Sequence, residues 1–305
     1  NFDRISFNLG GTLAHWLDDH AHDTYERIVS AERAYRDAHG MGNSLAQSVH
    51  HTILPLARRR DKICQVRWGI ASFEHRFGHP PEGMWLPEMA VDYETLGVLA
   101  SEGIKFTILS DEQVYGDLSG GGPYRLNLPD NQEIAVFVRD RHLSNHLSFG
   151  MPDSGYVDEW LETHVAWRCK RDGLHIIATD GETFGHHHRQ GVRVLKRMVT
   201  AGKRHGYRLT TLAQYLEQHP PKREIKVIEN TAWSCAHGLA RWLVGCDCTP
   251  GNSRWKGALR RALDNLASDL DQIYVCEARQ LGFDPWPLRD RFIDVMLRRT
   301  SRETF

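Results

Sequence analysis

The sequence has no charge of either sign to spare. Its 38 Lys and Arg residues face 39 Asp and Glu residues, for a net charge of −1. That balance leaves no broad basic surface for nucleic acid or an anionic membrane. No apolar run approaches the roughly 20 residues of a membrane span, and no secretory signal is visible. A cytoplasmic location is the expectation. Cysteine is scarce: Cys64, Cys169, Cys235, Cys246, Cys248 and Cys276 are too few for a disulfide framework in 305 residues, so mostly reduced thiols are expected. Gly120, Gly121 and Gly122 lack the strand-to-helix context and the Lys-Ser/Thr partner of a phosphate cradle. There is no internal repeat and no low-complexity segment.

What is present is ordinary globular composition, 41% hydrophobic and 25% charged, with 18 His and 9 Trp. Tryptophan rings make platforms for sugar faces, and they also fill cores. Short apolar runs at residues 4–9, 84–87, 105–109, 134–138 and 174–178 read as strands. Residues 24–36, 61–77, 92–101, 156–170, 193–205 and 209–219 read as helices, as does 44–60 with a kink at Pro55. Asp92 is placed to cap its helix. The repetition of strand, polar loop and helix, about five times over, argues a parallel sheet wrapped by helices, most simply a barrel. A doubly wound open sheet is the alternative, with its ligand crevice at the same strand ends. The run of Pro220, Pro221, Lys222, Arg223 and Glu224 marks a boundary between residues 1–222 and a helical region at 223–305. There Leu259, Leu263, Leu266, Leu270 and Ile273 form one stripe of a long helix at 255–280. A break at 283–287 precedes a last helix at 288–299, and the region is expected to pack on the barrel.

Two stretches carry the chemistry. In residues 176–188 an apolar run stops at Asp180 and Glu182, two glycines and His186, His187 and His188. In residues 83–92 another stops at Glu88 beside Trp85 and Pro87. Buried strands read this way where they open into catalytic loops at the rim of a barrel. Our reading brings Glu88 and Asp180 together in one cleft as a glycosidase pair; the plainer reading makes each a cap for the helix after its strand. Retaining glycoside hydrolysis needs two carboxyls about 5–5.5 Å apart, an ionised nucleophile and an acid of raised pKa. Trp85 is placed to wall a sugar subsite. Glu182 either shares a face with Asp180 or meets substrate hydroxyls from a loop. His51 either reaches the cleft or is a core histidine. Arg139 and Asp140 either orient substrate or pair with other charges. Cys235, His237, Cys246 and Cys248 offer a Cys3His zinc set, although Cys-x-Cys is tighter than a standard finger. A disulfide and free thiols are the alternatives.

At residues 83–88 and 180–186 the sequence resembles glycoside hydrolase family 57, in particular its uncharacterised α-amylase/α-mannosidase-like relatives. The similarity extends from about Ile5, through residues 51–56, to residues 233–238. The resemblance implies an incomplete (β/α)7 barrel with a helical C-terminal region. It implies retaining chemistry on α-glucans or related α-glycosides, hydrolytic or transglycosylating, with an oligo- or polysaccharide substrate and no organic cofactor. It also implies that Glu88 is the nucleophile and Asp180 the acid/base, with His186 in the motif of the latter. The family's first strand carries a His-x-His-type motif that is missing before Ile5, so a barrel truncated at its N-terminus is expected. Two rival functions remain open on sequence grounds: a metal-dependent carbohydrate hydrolase or deacetylase using Asp180 with His51 or His186, and a non-catalytic glycan-binding protein.

Overall fold

The structure, a computed structural model, describes residues 2–169, 173–248 and 250–305. Strand β1 (Phe7–Asn8) leads into helices α1 (Gly11–His20) and α2 (His22–His39). Then come β2 (Ser44–Gln47), α3 (Arg59–Phe77), β3 (Met84–Trp85), α4 (Tyr93–Ser101) and β4 (Phe106–Ser110). The short strands β5 (Val114–Gly116) and β6 (Tyr124–Asn127) precede β7 (Glu133–Arg139). β1, β2 and β3 are parallel neighbours in that order. A single parallel bridge, Gly83 to Phe106, carries the row on to β4, and β4 pairs in parallel with β7 from Phe106–Ala135 to Ser110–Arg139. All five residues of β4 are buried, as expected of a parallel strand covered on both faces. The row therefore leaves the C-terminal ends of five parallel strands along one rim.

Two sequence expectations need correction here. Residues 44–60 are not mostly helical: they hold β2, one 3-10 turn, Leu54–Leu56, and only the first two residues of α3. Ser-Leu-Ala-Gln has no strand periodicity of its own, and tertiary packing decides it. Leu45 and Ala46 are buried between β1 and β3. α3 crosses so closely that a Cβ at Gly69 would lie 2.1 Å from the Gln47 carbonyl oxygen. Residues 174–178 form no strand. The Asp140 N–H donates to the Ile176 carbonyl (2.8 Å), the Ala178 N–H to Ser144 Oγ (3.1 Å), and Arg139 to the Ala178 carbonyl (3.4 Å). One backbone bond from Asp140 and the side chains of Arg139 and Ser144 thus take the place of a neighbouring strand.

That next helix is α5 (Arg141–Phe149), capped by Asp140. The helix expected at 156–170 is α6 (Val157–Trp160), a π-helical turn Leu161–Ala166, and α7 (Trp167–Cys169); Lys170 and the side chain of Cys169 lie outside the described residues. α8 (Gly191–Thr200), α9 (Gly202–His205) and α10 (Leu212–Gln218) follow. Beyond residue 222 the chain returns to the sheets, where β8 (Ile225–Val227) pairs antiparallel with β5. After α11 (Ala240–Leu243) come α12 (Trp255–Gln280), α13 (Pro285–Arg291) and α14 (Ile293–Met296). The long helix does break, at 281–284, but the last helices begin earlier than expected, at Pro285 instead of Leu288. Asp284 caps α13 and Pro285 sits in its first turn, where a missing N–H costs nothing.

The C-terminal helices dock on α3. Arg60 and Arg67 share Asp290 (2.5 and 2.6 Å), Arg289 reaches Asp61 (2.5 Å), and Arg58 reaches Asp271 (2.8 Å). Beneath these pairs Ile293 and Leu297 pack on Val49, Cys64 and Trp68. The stripe of Leu259, Leu263, Leu266, Leu270 and Ile273 on α12 is exposed.

Lys62, at 1% exposure, is held by Asp92 and Glu94, each at 2.7 Å, and ties α3 to the first turn of α4. Breaking a buried pair strands the remaining charge, so Lys62→Ala is expected to cost about 3 kcal/mol. Urea unfolding measures it, and a loss below about 1 kcal/mol, the range of an exposed pair, would contradict this account.

Candidate functional site

Glu88 follows β3 by three residues, in the 3-10 turn Pro87–Met89. Its backbone is left-handed (φ 59°), and so is that of Met89 (φ 47°). Side chains pay for that conformation with roughly 1–2 kcal/mol, so the turn must be held from outside. The Trp233 N–H donates to the Glu88 carbonyl (3.1 Å), and Gln113, itself fully buried, donates through Nε2 to the Met89 carbonyl (2.7 Å). Strained backbone of this kind collects at functional sites.

The side chain of Glu88 meets two partners. Ser234 Oγ donates to Oε2, and His51 Nε2 lies 3.7 Å from Oε1. His51 is exposed, which rules out the core-histidine reading. Its loop is fixed by Ser48 Oγ on the His50 carbonyl (2.7 Å) and by the His50 N–H on Gln65 (3.2 Å). The His51 ring does most to hold the Glu88 carboxyl below the usual range. The Ser234 hydroxyl adds to it, against the opposing effect of burial. In return, Glu88 raises the pKa of His51.

Asp180 follows the 174–178 segment by two residues, with extended backbone just before the turn Gly181–Thr183. It is exposed, yet the protein around it still displaces part of its hydration. Crowding pushes its carboxyl above the usual range, and the carboxylates of Glu182 and Glu88 push it further; His187 and Arg139 pull the other way. Neither carboxylate serves as a helix cap. Asp92 caps α4 by accepting from the Thr95 N–H (2.7 Å), and Asp180 accepts no capping bond through its side chain.

The other expected residues divide. Trp85 packs edge-on against Trp233 (ring centroids 5.3 Å apart) beside Glu88. Glu182 is exposed on the turn, so it sits on a loop and not on a continued strand. His186 is exposed, and its ring lies against His187 at 5.0 Å; of the two, it is the charge of His187 that acts on Asp180. Arg139 is buried, with its guanidinium 4.7 Å over the Trp233 ring and Nε donating to Ser110 Oγ (3.2 Å). Asp140 caps α5 and pairs with Arg168 (3.3 Å) and His175 (3.8 Å), which matches the charge-pairing alternative. Burial disfavours its ionised form, but the His175 contact, the Leu143 N–H and Arg168 outweigh that effect.

Sequence reasoning assigned no role to Trp233, Ser234 or Gln113. The first two lie in the stretch 233–238 through which the family resemblance extends, and that was the available signal. Among the described residues, His51, Asp180 and His186 are not drawn together as a metal-ligand set, whereas Cys235, His237, Cys246 and Cys248 are.

Comparison with known proteins fits this geometry. The sequence pattern described as "Glycosyl hydrolase family 57" matches residues 15–228. The chain belongs to that family. A second pattern, a domain of unknown function (DUF3536), matches residues 252–305. Among curated relatives, alpha-amylase 1 of Dictyoglomus thermophilum is 24% identical over 59% of this chain and 26% of its own length. A 1,4-alpha-glucan branching enzyme of Thermococcus kodakarensis is 23% identical over 70% of this chain and 44% of its own. The chain therefore spans less than half the length of either. The exo-type maltose-forming amylase of Pyrococcus sp. ST04 superposes with a TM-score of 0.80 at 15% identity, covering 97% of this chain and 56% of that one. The fold is thus the incomplete (β/α)7-type barrel with a helical C-terminal region that the resemblance implied.

The left-handed turn gives a test without substrate. Glu88→Gly and Glu88→Ala remove the same carboxylate, but only glycine relaxes φ 59°. The glycine variant is expected to be the more stable by roughly 1 kcal/mol, as read by thermal or urea unfolding. The reverse order would show that the turn carries no strain.

Proposed function

We propose that this chain acts on α-glucans or related α-glycosides by a retaining mechanism, with Glu88 as nucleophile and Asp180 as acid/base. The observation that carries the reading is the opposite displacement of two carboxyls at one strand-end rim. His51 and Ser234 hold the Glu88 carboxyl below the usual range, while crowding and the two neighbouring carboxylates hold that of Asp180 above it. Pushing two titratable groups apart in this way assigns base-like and acid roles.

A Glu88 oxygen attacks the anomeric carbon while Asp180 passes its proton to the departing glycosidic oxygen. That step leaves a glycosyl ester on Glu88 and a carboxylate on Asp180. Asp180 then takes a proton from the incoming acceptor, whose oxygen displaces Glu88 from the same carbon. Water as acceptor gives hydrolysis and a sugar hydroxyl gives transfer; amylases and branching enzymes both stand among the relatives. Trp85, with Trp233 against it, offers an aromatic wall for the sugar. His51, Glu182 and His186 are exposed beside the pair and available to hydroxyls. Arg139, buried under Trp233, acts by positioning the Asp180 segment, and Asp140 does so through α5. Residues 1–222 form the barrel and 223–305 the helical region, with residues 225–238 returning to the barrel wall. The substrate is a cytoplasmic oligo- or polysaccharide.

Glu88→Gln and Asp180→Asn are each expected to lower turnover of amylose or maltooligosaccharides by at least about 10²-fold without lowering the melting temperature. Normal turnover in both variants would remove the assignment. Azide should rescue Glu88→Ala with inversion of the anomeric product and Asp180→Ala with retention.

The pH profile supplies a signed check. The acid limb follows protonation of Glu88, and the alkaline limb follows deprotonation of Asp180. His51→Gln removes the group that holds Glu88 down, so the acid limb should move to higher pH. Glu182→Gln removes a charge that holds Asp180 up, so the alkaline limb should move to lower pH. Limbs that stay put, or move in the opposite sense, would detach these residues from the pair.

A further inference from the structure

Beside the wall formed by Trp233 and Ser234, four donor groups from one segment converge. The donor atoms of Cys235, His237, Cys246 and Cys248 all lie within 4.8 Å of one another. Cys235 Sγ is 3.5 Å from Cys246 Sγ and 3.9 Å from His237 Nδ1, and Cys248 Sγ is 3.3 Å from the same nitrogen. In a zinc tetrahedron with bonds of about 2.3 Å to sulfur and 2.0–2.1 Å to nitrogen, neighbouring donors stand about 3.5–3.8 Å apart. The distances here bracket that edge. We propose that Cys235, His237, Cys246 and Cys248 form a structural zinc site, which pins the Trp233–Ser234 wall against Glu88.

Local structure supports the convergence. The segment runs from Cys235 and His237 through the short α11 and turns back at Gly245 to bring Cys246 and Cys248 over the first pair. Gly245 is left-handed (φ 88°), and a Cβ there would lie 2.4 Å from the Ser253 carbonyl oxygen, so the return is tight. Ser253 Oγ also donates to the Cys246 carbonyl (3.3 Å).

A disulfide explains less. Cys235 and Cys246 would have to close from 3.5 Å to about 2.05 Å, and His237 and Cys248 would have no reason to converge on them. Three thiolates and one imidazole suit zinc among the common divalent ions. Four protein donors close the coordination shell, which is the pattern of a structural site, with no open position for a reacting water.

The consequence for the rim is direct. Cys235 adjoins Ser234, whose hydroxyl donates to Glu88, and Trp233, whose N–H donates to the Glu88 carbonyl. The metal assignment stands independently of the chemistry proposed for Glu88 and Asp180.

The test uses the full chain. Purified under reducing conditions, it should carry one zinc per chain by elemental analysis. Replacement by cobalt(II) should give the intense sulfur-to-metal charge-transfer and visible ligand-field bands of a tetrahedral thiolate site. Cys248→Ser, at the exposed edge of the cluster, should lose the metal and those bands. Cys276→Ser, an exposed thiol outside the cluster, should keep both. The proposal is overturned if reduced, folded wild-type protein takes up neither zinc nor cobalt(II) when either is supplied in excess. It is also overturned if thiol titration of the freshly isolated protein finds Cys235 and Cys246 joined, or if Cys248→Ser leaves the cobalt spectrum unchanged. Should the variant fail to fold, the wild-type cobalt spectrum alone decides.

Discussion

The hydrogen bond from the Trp233 N–H to the Glu88 carbonyl is the constraint on which the rest of the rim depends. Two successive non-glycine residues in the left-handed region do not hold that shape unaided. Gln113 secures one side of the turn from within the core, and the returning segment secures the other. The same segment delivers the Ser234 hydroxyl to the carboxylate, so one stretch of chain sets both the direction of Glu88 and its ionisation. Remove that clasp and a free 3-10 turn would relax, carrying Glu88 away from His51.

Around this fixed carboxylate the environment is asymmetric. Glu88 has an imidazole and a hydroxyl that favour its ionised form; Asp180 has two like charges and crowding. The asymmetry comes from topology. Parallel strands bring the loops after β2 and β3 and the segment after residue 174 to one edge, and each brings a different charge. Arg139 moderates the contrast from below. Buried beneath Trp233 and bonded to Ser110 and the Ala178 carbonyl, it joins the ends of β4 and β7 to the segment that carries Asp180.

Much of this was legible in the sequence, for identifiable reasons. Glu88 and Asp180 stand where apolar runs stop abruptly, and runs such as 105–109 and 134–138 are long and β-branched enough to read as strands. The helix at 61–77 and the cap at Asp92 follow from periodicity and capping chemistry. β2 was hidden because Ser-Leu-Ala-Gln favours a helix locally and becomes a strand only between β1 and β3. The Asp180 segment read as a strand because its apolar pattern is that of one, whereas its hydrogen bonds go to Ser144, Asp140 and Arg139, a substitution no local pattern encodes. Ser234 escaped for a different reason. It meets Glu88 across 146 positions of sequence and from beyond the Pro-Pro run at 220–221. That run reads as an exit from the barrel, yet the chain goes on to build its wall.

The docking of the C-terminal helices on α3 has a consequence of its own. The barrel is held by buried apolar side chains, whereas α12 and α13 are fastened largely by guanidinium–carboxylate pairs, with Asp290 shared by Arg60 and Arg67. These two kinds of adhesion answer to different solvents. Added salt screens the charged pairs while leaving apolar packing intact or strengthening it. Warming lowers the cost of desolvating ions, so the charged pairs retain their strength better than isolated-pair values at room temperature suggest. The seam between barrel and helices therefore answers to its ionic surroundings in a way that the apolar core of the barrel does not.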